Sequence, residues 1–226
     1  DYLMLVTKNA TVKRLELSAL YTARKAGIRA LTIAEDDELI AVLKTSGENN
    51  IILATAGGMA ICFCETDVRV MGRDAAGVRG MALGAGDYIV GAGIAEPGKE
   101  LLTVTQNGYG KRTALEEYLR GDDAGERRAQ SRGGKGLKNY NLTAKTGQVA
   151  GVAIVDDGDD VMLIENGGVL IRMAAGDINT YKRGTQGVIL MRLGEGNQVI
   201  SVSRVDREED EPADAAEPAA APEEPV

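Results

Sequence analysis

The chain repeats itself about every 50 residues, and no other feature narrows its fold as much. Four stretches align: LMLVTKNATVKRLEL from Leu3, IILATAGGMAICFCE from Ile51, LLTVTQNGYGKRTAL from Leu101 and VMLIENGGVLIRMAA from Val161, their starts 48, 50 and 60 residues apart. Each is a short apolar run, a turn pair and a second β-prone run. The turn pairs are Asn9-Ala10, Gly57-Gly58, Asn107-Gly108 and Gly167-Gly168. Asn-Gly and Gly-Gly supply the positive φ that a two-residue hairpin turn requires. The repeats also close alike. From Gly27, Gly77, Gly136 and Gly187 each runs through a strand-like segment, a turn rich in glycine or acid, and another strand-like segment. This gives four strands per repeat and an all-β array of four-stranded blades, at about 1–50, 51–100, 101–160 and 161–205. One blade cannot bury both its faces, so the blades must stack into a single folded unit over 1–205. A helical solenoid does not fit, because only short stretches such as TALEEYLR look helical.

Composition excludes several classes of function. No apolar run approaches the ~18–20 residues needed to cross a bilayer, and no secretory signal opens the chain, so no membrane partner is expected. The chain begins at Asp1, which reads as a piece of something longer. There is no histidine, which removes the commonest general base and a common zinc ligand. The two cysteines, Cys62 and Cys64, share one face of a strand and read as small core hydrophobes. The formal charge of −8 is unevenly distributed: residues 206–226 hold nine acids and one base, leaving 25 of each in 1–205. A segment of alanine, proline and acids buries too little apolar surface to fold, so 206–226 reads as a disordered acidic tail. Such a flexible polyanion is expected to compete for any basic surface beside it.

Cations recur in register across the neutral body. The loops joining the two halves of each repeat are TARKAG with Arg24 and Lys25, GRDAAG with Arg73, SRGGKG with Arg132 and Lys135, and KRGTQG with Lys182 and Arg183. Two residues past each closing glycine stand Arg29, Arg79, Lys138 and Ile189, and the second hairpin strands end on Arg14, Cys62, Arg112 (preceded by Lys111) and Arg172. Solubility does not demand register. In a stacked array these positions fall along one rim, and a curved basic rim suits a duplex, whose phosphates bind lysine and arginine whatever the base sequence. Bending ~20–30 base pairs costs ~1–6 kcal/mol, so contacts must be spread along the path. The third repeat is the longest, and its excess lies in RGDDAGERRAQSRGGKG. There Gly133, Gly134 and Gly136 leave the backbone open to phosphate while Arg132 and Lys135 bring charge. Lys135 precedes Gly136 and Lys111 precedes Arg112, so neither completes a nucleotide-binding P-loop.

The stretch QSRGGKG, Gln130 to Gly136, resembles the signature box of the gyrase A C-terminal domain family, departing at Ser131 where a cation is usual. TQNGYGKRTAL (105–115), NTYKRGTQGVILMRL (179–193) and GRDAAGVRGMALGAGD (72–87) also resemble blades of that family, and the likeness spans 1–205. The resemblance implies a β-pinwheel, in which neighbouring blades exchange a strand, with a basic perimeter that wraps double-stranded DNA. It implies a bacterial, cytoplasmic and nucleoid-associated enzyme, an A2B2 heterotetramer with gyrase B and the gyrase A N-terminal cleavage domain, that supercoils DNA negatively. ATP and magnesium belong to other parts of that enzyme, and no residue here matches a catalytic or metal-binding position, so no cofactor is expected in this chain. The box normally lies in the first of about six blades. Here it lies in the third repeat, so it reads either as the box itself or as a second box-like loop. The equivalent C-terminal domain of topoisomerase IV and a protein-binding propeller are the alternatives.

Overall fold

The computed structural model describes residues 1–22, 26–121 and 126–206. Arg24, Lys25 and the tail from 207 onward lie outside these. The first repeat forms β1 (Tyr2–Thr7), β2 (Thr11–Glu16) and β3 (Leu39–Thr45), and the second forms β4 (Asn50–Thr55), β5 (Met59–Cys64), β6 (Val78–Arg79) and β7 (Ile89–Ile94). The third has β8 (Glu100–Thr105), β9 (Tyr109–Ala114), a short hairpin of β10 (Arg120–Gly121) and β11 (Arg127–Arg128), then β12 (Leu137–Lys138) and β13 (Val149–Val155). The fourth has β14 (Asp160–Glu165), β15 (Leu170–Ala174), β16 (Val188–Ile189) and β17 (Val199–Val205). The helical-looking TALEEYLR contributes only a single 3₁₀ turn, Leu115–Tyr118. Among the described residues no helix is long and apolar enough to cross a membrane.

The hairpin turns are one residue longer than the turn pairs imply. Ala10, Gly58, Gly108 and Gly168 donate their N–H to the carbonyls of Thr7, Thr55, Thr105 and Glu165, three residues back. All four adopt positive φ, 64° at Ala10 and 77–91° at the glycines. This is the pattern of a three-residue hairpin loop ending on a left-handed residue.

The blades are antiparallel sheets in the orders β3-β1-β2-β6, β12-β5-β4-β7, β13-β8-β9-β16 and β15-β14-β17. The fourth strand of each of the first three blades therefore comes from the following repeat. Arg79 lies opposite Thr11, Lys138 opposite Met59 and Ile189 opposite Tyr109. This exchange uses the closing glycines. Gly77, Gly136 and Gly187 have φ of 94°, 73° and 66°. A Cβ there would sit 2.7, 2.3 and 2.2 Å from the carbonyl oxygens of Val12, Ala60 and Gly110 in the acceptor blade. Only glycine permits both the dihedral and the approach. Gly27 has the same left-handed φ of 72° but nothing within 4 Å, and the residues after it form no strand. The fourth blade correspondingly has three strands among the described residues. The first repeat thus forms three strands where four were expected, and the fourth blade holds three where four-stranded blades were expected: among the described residues no strand follows Gly27 and none pairs with the outer edge of β15.

Strands β3, β7, β13 and β17 pack against one another in succession, so they are the inner edges, and β6, β12 and β16 are the outer ones. The core lies between blades. Ile51 and Leu53 point into a cluster with Met4 and Val6, while Ile52 and Ala54, on the opposite face of β4, join Leu101 and Tyr118. A second boundary cluster joins Leu102 and Val104 to Val161 and Leu163. A blade with neighbours on both sides is apolar on both faces, which is why IILAT reads as an unbroken apolar run.

Candidate nucleic-acid interface

The donated strands place Arg79 and Lys138 on the outer edges of the first and second blades, both exposed. The third donated strand puts Ile189 at the same position, 51% exposed. Arg29, the fourth member of the set, is exposed on the segment that no sheet takes up. Lys135 and Lys182 are exposed in the loops that lead into donated strands, and Arg73, Arg132 and Arg183 are half-buried there.

Arg132 and Arg183 do the same job in successive blades. Arg132 Nη1 donates to the Arg79 carbonyl at 3.1 Å, and Arg183 Nη1 donates to the Lys138 carbonyl at 3.3 Å. Each loop arginine ties its loop to the backbone of the rim cation one repeat earlier. Arg132 also donates from Nε to the Asp67 carbonyl at 2.8 Å. The glycines hold the same loop close: Gly133 N–H donates to the Gly80 carbonyl at 2.6 Å, and the Ala82 N–H to the Gly134 carbonyl at 2.9 Å. Gly133, at φ 80°, is left-handed. The box-like loop is thus pinned along the second blade, with Lys135 projecting.

Four predicted contacts are taken off the perimeter. Gln130 is buried, its side-chain amide donating to the Tyr118 carbonyl at 3.3 Å and its N–H to the Cys62 carbonyl. Lys111 is fully buried. Arg14 is 8% exposed, its guanidinium stacked 4.7 Å from the Tyr2 ring centroid and 3.6 Å from Glu65. Arg112 is 6% exposed and held by Glu100 at 2.8 Å, Asp157 at 2.5 Å and the Ile178 carbonyl at 2.7 Å. The cause is the following repeat, which packs over this end of β2 and β9: Met71 donates to the Arg14 carbonyl and Tyr181 to that of Arg112. Arg172, the equivalent in β15, is covered by no later repeat among the described residues and is exposed, paired to Asp160 at 2.8 Å. The partners were legible in the sequence, since Tyr2, Glu100 and Asp160 each stand 12 residues before their arginine.

The β10–β11 hairpin carries cations that the sequence reading missed. Arg120, Arg127 and Arg128 are all exposed, with Arg120 directly opposite Arg128. Arg128 pairs with Glu126 at 2.6 Å, and Arg127 donates to the Glu116 carbonyl. Their signal was the extra length of the third repeat, obscured by the acids interleaved with them.

Against known proteins, the family model described as "DNA gyrase C-terminal domain, beta-propeller" matches residues 1–46, 49–96, 99–120, 128–156 and 159–206. The chain belongs to the DNA gyrase C-terminal domain family. The DNA gyrase A protein of Staphylococcus epidermidis is 42% identical over 212 residues, covering 93% of this chain and 23% of that protein. One from Staphylococcus aureus is 40% identical over 207 residues, covering 91% and 22%. The chain therefore spans less than a quarter of the length of these relatives. Among solved structures it is similar to the C-terminal domain of DNA topoisomerase IV (TM-score 0.82, 29% identity, covering 91% of this chain and 62% of that one). It is also similar to a DNA gyrase A C-terminal domain (TM-score 0.77, 26% identity, covering 90% and 65%). The strand exchange described above is the pinwheel arrangement that the resemblance to the gyrase family implied.

Proposed function

We propose that this chain binds duplex DNA along its outer edge and bends it. As the C-terminal domain of a gyrase A protein it would steer ATP-dependent negative supercoiling by the whole enzyme. The observation that carries this is the placement of Arg79 and Lys138 on donated strands at the outer edges of adjacent blades, with Lys135 and Lys182 exposed in the adjoining loops. Phosphates spaced along a duplex reward cations repeated along a path, with no need for base contacts. Arg29 and the hairpin arginines Arg120, Arg127 and Arg128 are further exposed cations available to phosphates. The N-terminal cleavage domain and gyrase B, in an A2B2 enzyme of the bacterial cytoplasm, are the partners this reading requires. The near-intact QSRGGKG loop favours gyrase, whereas the similarity to a topoisomerase IV domain supports that enzyme as the second reading.

A topology assay separates these outcomes. Relaxed circular DNA sealed by ligase with the chain bound traps writhe if the duplex is wrapped, and its sign gives the handedness. Affinity should also fall steeply with salt, by about 0.9 in log–log slope per phosphate neutralised. No trapped writhe together with a slope near zero would reject DNA wrapping.

A further inference from the structure

Lys13 in β2 and Lys111 in β9 occupy the same position in their repeats, one residue before Arg14 and Arg112. Both are fully buried. An ammonium group is costly to bury unless its donors are satisfied, and each amine meets two carbonyls from separate segments. Lys13 Nζ donates to Ala30 at 2.8 Å and Arg73 at 2.6 Å. Lys111 Nζ donates to Asn139 at 2.9 Å and Lys182 at 2.8 Å. These carbonyls are not arbitrary. Two belong to Arg73 and Lys182 themselves, and two to the residues directly after Arg29 and Lys138.

The other blades show that the fold does not require an amine here. The same position holds Ile61 in the second repeat and Ile171 in the fourth. In the second blade the junction is closed by backbone instead: Gly133 N–H reaches the Gly80 carbonyl, the equivalent of Ala30 and Asn139. The glycine loop can do so because it packs closely over Ile61, a Cβ on Gly134 falling 3.7 Å from the isoleucine Cδ1.

We propose that Lys13 and Lys111 are positioning residues for the DNA interface, each clipping the closing segment of its own repeat to the loop of the next. The backbones carrying Arg29 and Arg73, and those carrying Lys138 and Lys182, are thereby held at fixed separation. The long side chains sweep some space, but the clip sets where that space is centred. This inference rests on the DNA-binding reading.

The test copies nature's own alternative. Lys111→Ile reproduces the second and fourth blades, and Lys13→Ile does the same for the first. Each 226-residue variant is titrated with a short linear duplex of mixed sequence at several salt concentrations, and amide hydrogen exchange is recorded without DNA. The expected result for Lys111→Ile is a cooperative melt, faster exchange at Gly184 and its neighbours, and a salt slope shallower by between about 1 and 2 units as Lys138 and Lys182 leave their phosphates. A slope and affinity equal to those of the parent chain would overturn the proposal and leave the lysines as core residues. A variant that does not fold would overturn it too, because the amine would then serve the blade itself. A parent slope near zero would instead sink the DNA-binding reading and the positioning role with it, while the exchange data would still report whether the clip exists.

Discussion

Arg112 and Lys138 both belong to sets of cations that recur once per repeat, yet they end in opposite environments. Arg112 lies within the second hairpin strand of its own blade, β9, and is sealed between Glu100, Asp157 and the Ile178 carbonyl. Lys138 sits on β12, which leaves its own repeat to become the outer edge of the preceding blade, and it is exposed. Recurrence therefore marks a shared place in the repeat, not a shared exposure. What separates the two sets is strand exchange: the following repeat covers the first set and carries the second outward.

Substitution should break the two apart. The largest effect belongs to Arg112→Ala, which leaves Glu100 facing a vacated buried site and should cost about 3–5 kcal/mol, read as a fall in Tm. Arg172→Ala removes the same residue type from the same register. Its side chain is 43% exposed, so solvent screening limits the loss to about 1 kcal/mol or less. Equal losses at the two positions would mean that cover by the next repeat does not decide the role.

Next comes Gly136→Ala, whose Cβ would press to 2.3 Å of the Ala60 carbonyl. It should cost well over the ~1 kcal/mol of a left-handed alanine, release β12 from the second blade and weaken DNA binding. Gly27→Ala, with open space around it, should show the left-handed cost alone. A thermal melt of the pair measures the contribution of the acceptor blade.

A smaller effect is set by pH. Burial pushes the Lys111 amine down from 10.5 to about 8, Arg183 adding to the shift and Glu117 opposing it. A folded-state pKa below the unfolded one means that the unfolded chain binds more protons in between, so stability rises as pH climbs from about 8. Burial, with Cys64 nearby, raises Cys62 from 9.0 to about 12. The sign is then opposite: above about 9 the folded chain holds the extra proton and stability falls. Tyr118 and Tyr140, pushed upward mainly by burial, reinforce the fall above 10. Lys13, also lowered mainly by burial with Asp74 opposing, adds to the rise. The melt profile should therefore climb from about pH 8, level off above about 9 where the two signs oppose, and fall above about 10. Lys111→Ile should weaken the rise while keeping the fall. Smallest in stability is Lys138→Ala, which should change Tm little, within about 0.5 kcal/mol, yet lower the DNA salt slope by about 0.9. A large loss of stability there would place Lys138 with Arg112.

Much of this was readable beforehand. The hairpins, the closing glycines and the four blades follow from apolar runs, turn residues and their spacing. The outward position of Arg79 and Lys138 followed from register. The reading went astray at Arg14, Lys111 and Arg112 because periodicity alone does not distinguish a cation facing solvent from one facing a neighbour, and at Gln130, named for its place in QSRGGKG, because a motif does not show which of its side chains packs inward. The clues lay at long range: an acid 12 residues earlier for Arg112, and carbonyls 28 and 71 residues away for Lys111. Arg120, Arg127 and Arg128 fell outside that reading because they recur in no register shared by the repeats and lie in the extra length of the third.

Local chemistry was enough to specify each hairpin, because a left-handed residue in a turn and apolar residues on a strand act within a few positions of one another. It was also enough to divide a balanced body from an acidic tail. Which blade each closing strand joins, and so which cations a polyanion can reach, emerged only when the blades packed. A Cβ-free glycine against a neighbour's carbonyl and an amine shared between two loops are contacts between segments far apart in the chain, and their energies exist only in the assembled array.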